Sequence, residues 1–330
     1  MDQPDRAQQR ISWVSQYLGD AVFDLSQASE DASFRSYWRV STTDQSLILM
    51  DAPPANEDCR PFIEVTERLL GAAVNVPRIH AQNLKLGFLL LDDLGEIQFS
   101  EILDQNSVAT LYQDALTALD KMQTISPAGL PNYDRQLLRM EMALFSDWLL
   151  NRHLQLQPGP RFDQQWQRLQ QTLIDNALEQ PRVFVHRDYH CRNLMLCRGN
   201  NPGIIDYQDA VAGPITYDLV SLLRDCYISW PAEQVYEWAE AYRVQVHAAG
   251  RSDAPAQTWR RWFDLMGLQR QLKASGIFCR LWHRDGKVGF LKEIPRTLGY
   301  ARYVAAKYPE FSWFRSLVDQ VLARLEDVNL

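Results

Sequence analysis

Residues 183–209 read VFVHRDYHCRNLMLCRGNNPGIIDYQD and gather the side chains of this chain best suited to act together on a substrate. His186-Arg187-Asp188 is followed five residues after the aspartate by Asn193 and, beyond two short apolar runs, by Asp206. The spacing is H-R-D-x-x-x-x-N with a second carboxylate on the next hairpin, a pattern suited to phosphoryl transfer. Moving a γ-phosphoryl group is mainly positioning plus neutralisation of charge, so few groups are needed. One carboxylate, Asp188, would orient the acceptor hydroxyl and take its proton late. Mg²⁺ wants hard oxygen ligands, keeps several waters and takes only one or two carboxylates. The amide of Asn193 and the carboxylate of Asp206 meet that demand. His186 reads as a brace for the loop, since Asp188 already has the role of base, and Asp218, beyond Gly213-Pro214, as an anchor for it. His190, inside the loop, is a candidate acceptor contact.

The elements that must hold this loop are short and apolar. Val183-Phe184-Val185, Leu194-Met195-Leu196 and Gly203-Ile204-Ile205 read as three small strands. Upstream, Ile11, Val14 and Leu18 recur at helical spacing. Strand-like runs follow at Ala21–Ser26, Ser36–Ser41 and Ser46–Asp51. A helix opened by Pro61 carries Phe62, Val65 and Leu69 on one face, and two more strands are expected at Val76–Ala81 and Gly87–Leu91. From residue 98 the pattern is helical: Ser107–Met122, Arg135–His153, Gln164–Leu178 and, after the β-rich island, Tyr217–Tyr227, Glu233–His247 and Thr258–Cys279. The expected fold is α+β and bilobal, with a small antiparallel sheet and one helix over residues 1–92 and a mostly helical C-lobe carrying the catalytic hairpin over 93–330. Leu91-Asp92-Asp93-Leu94 would be the hinge, its backbone groups able to read adenine.

The phrases VFVHRDYHCRNLML, GIIDYQDAVAGPITYDLVSLL and FLLLDDLG resemble the aminoglycoside phosphotransferase family of kinase-like enzymes, over about residues 20–300. That resemblance implies the protein-kinase-like plan, ATP as donor and Mg²⁺ as its metal. SLILMDAPP, HRDYHCRNLML, LLRDCYISWP and GIFCRLWHRDGK narrow it to members that phosphorylate the anomeric hydroxyl of amino sugars, N-acetylmuramate and N-acetylglucosamine, in peptidoglycan recycling. Two departures stand out. Met50 occupies the strand position where the nucleotide-binding lysine of V-A-I-K belongs, so Glu64 or Glu67 of the following helix lacks the usual ion-pair partner. No G-x-G-x-x-G covers the phosphates either. Ser33, Phe34, Arg35 and Ser36 are the candidate phosphate loop, with Arg35 the candidate for the missing charge.

Residues 268–296 hold seven cations against two anions. A polycationic aminoglycoside would want carboxylates around it, whereas a sugar with a lactyl carboxylate would want Arg or Lys. Arg224, Tyr227, Trp282 and His283 are further candidates for acceptor contacts. The whole chain, at 330 residues with 34 Lys plus Arg against 41 Asp plus Glu, is acidic and lacks a basic block. Non-specific nucleic-acid binding is therefore disfavoured. No run approaches the length of a membrane helix, and MDQPDRAQQR lacks the order of a secretory signal. Five cysteines without C-x-x-C spacing point to reduced thiols rather than disulfides or zinc. The expected setting is cytoplasmic, with ATP and a small amino sugar as ligands and no protein partner implied. Two alternatives stay open: a kinase of another small alcohol such as an aminoglycoside, choline or homoserine, or a nucleotide-binding pseudokinase, which Met50 favours and the joint presence of Asp188, Asn193 and Asp206 disfavours.

Overall fold

Alternation along β3 (Ser46–Asp51) decides how the N-terminal sheet is built. The computed structural model describes residues 5–30, 34–156 and 159–327. In it β3 pairs antiparallel with β2 (Ser36–Ser41) and with β5 (Phe88–Asp92), β1 (Asp24–Glu30) flanks β2, and β4 (Ile79–Asn83) flanks β5. Val40 lies opposite Leu47, Trp38 opposite Leu49, and Leu49 opposite Leu90. Because successive side chains point to opposite faces, Val40, Leu47, Leu49, Phe88 and Leu90 share one face and pack with Val14 of α1 (Arg6–Leu18), flanked by Trp13 and Leu18. Arg39, Ile48, Met50, Leu89 and Leu91 therefore occupy the other face. Gly87, at φ +70°, turns the chain into β5; a Cβ there would sit 1.8 Å from the Ala52 carbonyl oxygen, so the turn requires glycine. The strands at Val76 and Ala21 begin later than their side-chain pattern suggests, at Ile79 and Asp24. The last helix of this unit, α2 (Arg60–Gly71), has Pro61 in its first turn and buries Phe62, Val65, Thr66 and Leu69.

The chain divides into two compact units, residues 1–98 with 195–209, and residues 99–194 with 210–330. The second is mostly helical: α3 (Phe99–Ile102), α4 (Val108–Met122), α5 (Arg135–Leu144), α6 (Phe162–Leu178), α7 (Tyr217–Leu223), α8 (Ala232–Ala248), α9 (Ala256–Asp285), α10 (Ile294–Ala305) and α11 (Ser312–Asp327). Within it β6 (Arg182–Val185) pairs antiparallel with β9 (Val211–Pro214), a strand its sequence did not announce. The two-residue strands β7 (Leu194–Met195) and β8 (Gly203–Ile204) form a short hairpin that, from Met195 on, belongs to the first unit.

The single helix expected over Arg135–His153 is instead two: α5, then a π-helix over Phe145–His153. At the junction Gly276 of α9 presses on Leu144; a Cβ on Gly276 would lie 2.2 Å from the Leu144 carbonyl carbon. The bare glycine lets the two backbones touch where the helix changes pitch, as inserted π-turns commonly mark close packing or a site. The helix expected to run to Tyr227 ends at Leu223, because Asp225 then turns the chain. Among the described residues no helix is long and apolar enough to cross a membrane.

Candidate active site

The loop after β6 is held from below by two carboxylates. Asp218, in the first turn of α7, accepts the backbone N–H of His186 at 2.7 Å and of Arg187 at 3.0 Å. Asp225 accepts those of Cys191 and Tyr227, both at 2.8 Å. Between them Arg187 adopts φ +78°, a left-handed conformation that costs energy for a residue with a Cβ and persists only where neighbours fix it. Asn193 Nδ2 donates to the Asp188 carbonyl at 2.9 Å, and the His190 N–H bonds the same oxygen at 3.1 Å. The five-residue spacing thus closes into a tight loop, with the Asn193 amide oriented by the backbone of Asp188.

A charged layer packs beside this loop. Glu141 of α5, buried, accepts from Arg187 at 2.6 Å and from Gln269 Nε2 at 3.0 Å, takes the Tyr133 hydroxyl as a third donor, and lies 3.4 Å from Lys273 Nζ. Lys273 also donates to the Tyr217 hydroxyl at 3.1 Å. Burial works to raise the Glu141 carboxyl, but the charges of Lys273 and Arg187 outweigh it and hold the group below its ordinary value. The same balance governs Asp188: burial pushes it up, and Lys273, His190, Arg187 and Arg270 bring it down to about 2. Asp188 is therefore an anion throughout the physiological range. Glu141 and Lys273 lie far apart in sequence and outside any motif, so only their burial as charged residues could have drawn attention to them.

The candidate acceptor contacts are sorted by their partners. His190 stacks edge-on against Tyr227 with centroids 5.2 Å apart, and Arg192 lies over the Tyr227 ring at 3.6 Å. Arg224 is committed elsewhere: it is buried against Asp264 at 2.5 Å and Tyr236 at 2.8 Å. His283 pairs with His153 at 3.1 Å, and Trp282 beside it is partly exposed. Of the seven cations in 268–296, Arg284 pairs with Asp285 and Arg296 with Glu293, whereas Arg270 and Lys273 are the two buried ones.

The remaining candidates lie in the sheet unit. Met50 is buried between Tyr37 and Leu89 across the neighbouring strands. The cations near the end of its strand turn to the other face, where Arg6 Nε and Arg10 Nη1 bind the buried Asp51 at 2.9 and 2.8 Å. Glu64 pairs with Arg68 on its own helix at 2.7 Å. Arg35 lies 3.9 Å from Glu57, which also accepts the Phe34 N–H at 3.3 Å; Ser36 opens β2 and accepts from Trp38 Nε1 at 2.9 Å; Ser33 falls outside the described residues. On the face of Met50 the cation is Arg39, which the sequence reading missed. It binds Asp93 Oδ2 at 2.7 Å and also Glu96, while Ser46 donates to the same Asp93 oxygen at 2.5 Å. Of the hinge, Leu91 lies within β5, Asp92 accepts the Arg78 N–H at 3.0 Å, and the Leu94 carbonyl faces the Cys197 thiol at 3.6 Å. Asp206 has φ +64° and accepts from Gln208 Nε2 at 2.9 Å. Its neighbour Tyr207 is anchored on α2 by a 2.8 Å hydrogen bond to Thr66 and by the Phe62 ring. Asp188 and Asn193 thus belong to the helical unit, and Asp206 with the nucleotide candidates to the sheet unit.

The model of the phosphotransferase enzyme family matches residues 24–263. The chain belongs to that family and is a phosphotransferase with a hydroxyl acceptor. It is 47% identical over 88% of its length, and 86% of the relative's, to the N-acetylmuramate/N-acetylglucosamine kinase of Pseudomonas aeruginosa. With the protein of that same name from Pseudomonas putida it shares 43% identity over 96% of this chain and 97% of the other. The choline kinase LicA from Streptococcus pneumoniae superposes with a TM-score of 0.64 at 12% identity, over 92% of this chain and 100% of that one. The fold is the protein-kinase-like α+β fold of these enzymes.

Proposed function

We propose that the protein transfers the γ-phosphoryl group of ATP to the anomeric hydroxyl of N-acetylmuramate and N-acetylglucosamine, releasing the sugar 1-phosphate, as a cytoplasmic step of peptidoglycan recycling. The observation that carries this reading is identity of 43–47% to kinases named for those two sugars, spread over most of the chain. Asp188 supplies the chemistry. Held ionised at about 2, it accepts a hydrogen bond from the acceptor hydroxyl, orients its oxygen for in-line attack and takes the proton as the new P–O bond forms. A hemiacetal hydroxyl is more acidic than an ordinary alcohol, so a weakly basic carboxylate suffices. Asn193 and Asp206 offer an amide and a carboxylate oxygen, the hard donors that suit Mg²⁺, and would hold it. When bound, the metal neutralises charge on the phosphates. Asp218 and Asp225 keep the loop in place, and Arg187, fixed by Glu141, keeps the backbone of Asp188 in its strained approach.

The test couples two assays. ADP release with either sugar should be matched by an equal loss of reducing ends, and the 1-O-methyl glycosides should be inert because their attacking oxygen is blocked. ADP release with reducing power unchanged would send the phosphate to another hydroxyl and overturn the anomeric assignment.

A further inference from the structure

Among the described residues three cations are buried: Arg224, Arg270 and Lys273, at 3%, 7% and 7% exposure. A charge taken out of water is costly unless a counter-ion and hydrogen bonds replace the water. Arg224 has Asp264 at 2.5 Å and Lys273 has Glu141 at 3.4 Å. Arg270 has no ion-pair partner among the described residues, and its Nε has no hydrogen-bond partner. Its guanidinium lies over the Tyr217 ring, 5.3 Å from the centroid, and Tyr217 is the residue whose hydroxyl receives Lys273. Arg270 and Asp188 favour each other's charge, so the guanidinium stands in the field of the loop carboxylate. Arg187 and Lys273 already share Glu141 there. Arg270 makes no such contact ion pair: beyond its hydrogen bond to Tyr217 it has, among the described residues, only the more distant charges of Asp188 and Asp218, and a buried planar fork without a contact anion has the chemistry of a carboxylate receptor.

We propose that Arg270 is the specificity residue that takes the carboxylate of the acceptor, the lactyl group by which N-acetylmuramate differs from N-acetylglucosamine. The assignment rests on the function proposed above. Position favours the acceptor over the nucleotide: Arg270 belongs to the same unit as Asp188, which handles the acceptor hydroxyl, whereas the nucleotide candidates belong to the sheet unit. N-acetylglucosamine has no group for Arg270 and would be bound through its ring and acetamido contacts alone.

The experiment compares kcat/KM for the two sugars in the wild type, Arg270→Met and Arg270→Lys. A lost charge-assisted hydrogen-bond pair should lower kcat/KM for N-acetylmuramate about 10- to 100-fold more than kcat/KM for N-acetylglucosamine in Arg270→Met. Arg270→Lys keeps the charge and loses the fork, so the preference for N-acetylmuramate should fall by about threefold or more. Should Arg270→Met fail to fold, Arg270→Lys decides alone. Equal losses for both sugars in either variant overturn the assignment and give Arg270 to the transferring phosphoryl group instead. A wild type inert on both sugars overturns the function itself, which separates that failure from a failure of Arg270.

Discussion

In the sheet unit Arg6 and Arg10 converge on Asp51, and Arg39 on Asp93 and Glu96, so each cation is balanced by acids of the same unit. In the helical unit Arg187 and Lys273 share Glu141, whereas Arg270 makes no contact ion pair among the described residues and stands in the field of Asp188 and Asp218. The first arrangement holds a fold together. Arg6 and Arg10 clamp α1 to the sheet while stacking on Phe88 and Trp38 at 4.3 and 4.0 Å, and Arg39 ties β2 to Asp93, just after β5. The second leaves one buried guanidinium without a contact anion. A buried charge left unpaired, more than charge itself, separates the second region from the first. Near Met50, Arg6 and Arg10 of α1 meet Asp51 on the opposite face of β3.

The contrast can be broken most severely at Asp188. If Asp188 acts on the acceptor as proposed, Asp188→Ala should lower kcat by about 10²–10⁴-fold with nucleotide affinity nearly unchanged; more than a tenth of wild-type kcat would refute the role. Next is Glu141→Gln, which leaves Arg187 and Lys273 buried without their shared carboxylate. Stability at neutral pH should fall by about 3–5 kcal/mol in chemical denaturation. Because the folded-state pKa of Glu141 is depressed, its contribution is complete above 4.5, the ordinary value, and is lost as pH falls through the lower folded value. Glu141→Gln should therefore show a flatter stability profile below pH 4.5 than the wild type, and parallel profiles would remove Glu141 from the charge balance.

Arg39→Ala tests the scaffold side. It frees Asp93 and Glu96 at the hinge and should raise the KM for nucleotide by about 3- to 10-fold, the scale of one charge-assisted hydrogen bond partly exposed to water. A change confined to the sugar KM would contradict its place beside the hinge. Smallest should be Met50→Leu, a volume-conserving swap on a buried strand: less than about 1.5 kcal/mol in stability and a nucleotide KM within about twofold. A larger nucleotide effect would make Met50 a ligand contact rather than packing.

Local pattern determined much of this protein. The alternation in Ser46–Asp51 and Phe88–Asp92 encodes which side chains face α1, because strand periodicity is a property of the backbone alone. The spacing of Asp188 to Asn193 is likewise local, and the hydrogen bond that closes the loop spans those same five residues. Helix ends and pitch were less legible: the π-helix begins at Phe145, where Leu144 meets Gly276 of α9, a contact that no window around either residue contains. Partners chosen across the fold were not legible at all. Nothing near Glu141 announces Arg187 and Lys273, and Arg224 looks as available as Arg270 until Asp264 is seen against it. The basic stretch 268–296 shows the limit best. α9 is buried on nearly all sides from Trp259 to Leu281, so its sequence has no polar face to mark which cations point inward. Only the packing of α5 and α7 against that helix decided that Lys273 meets Glu141 and Tyr217 and that Arg270 is left without a counter-ion.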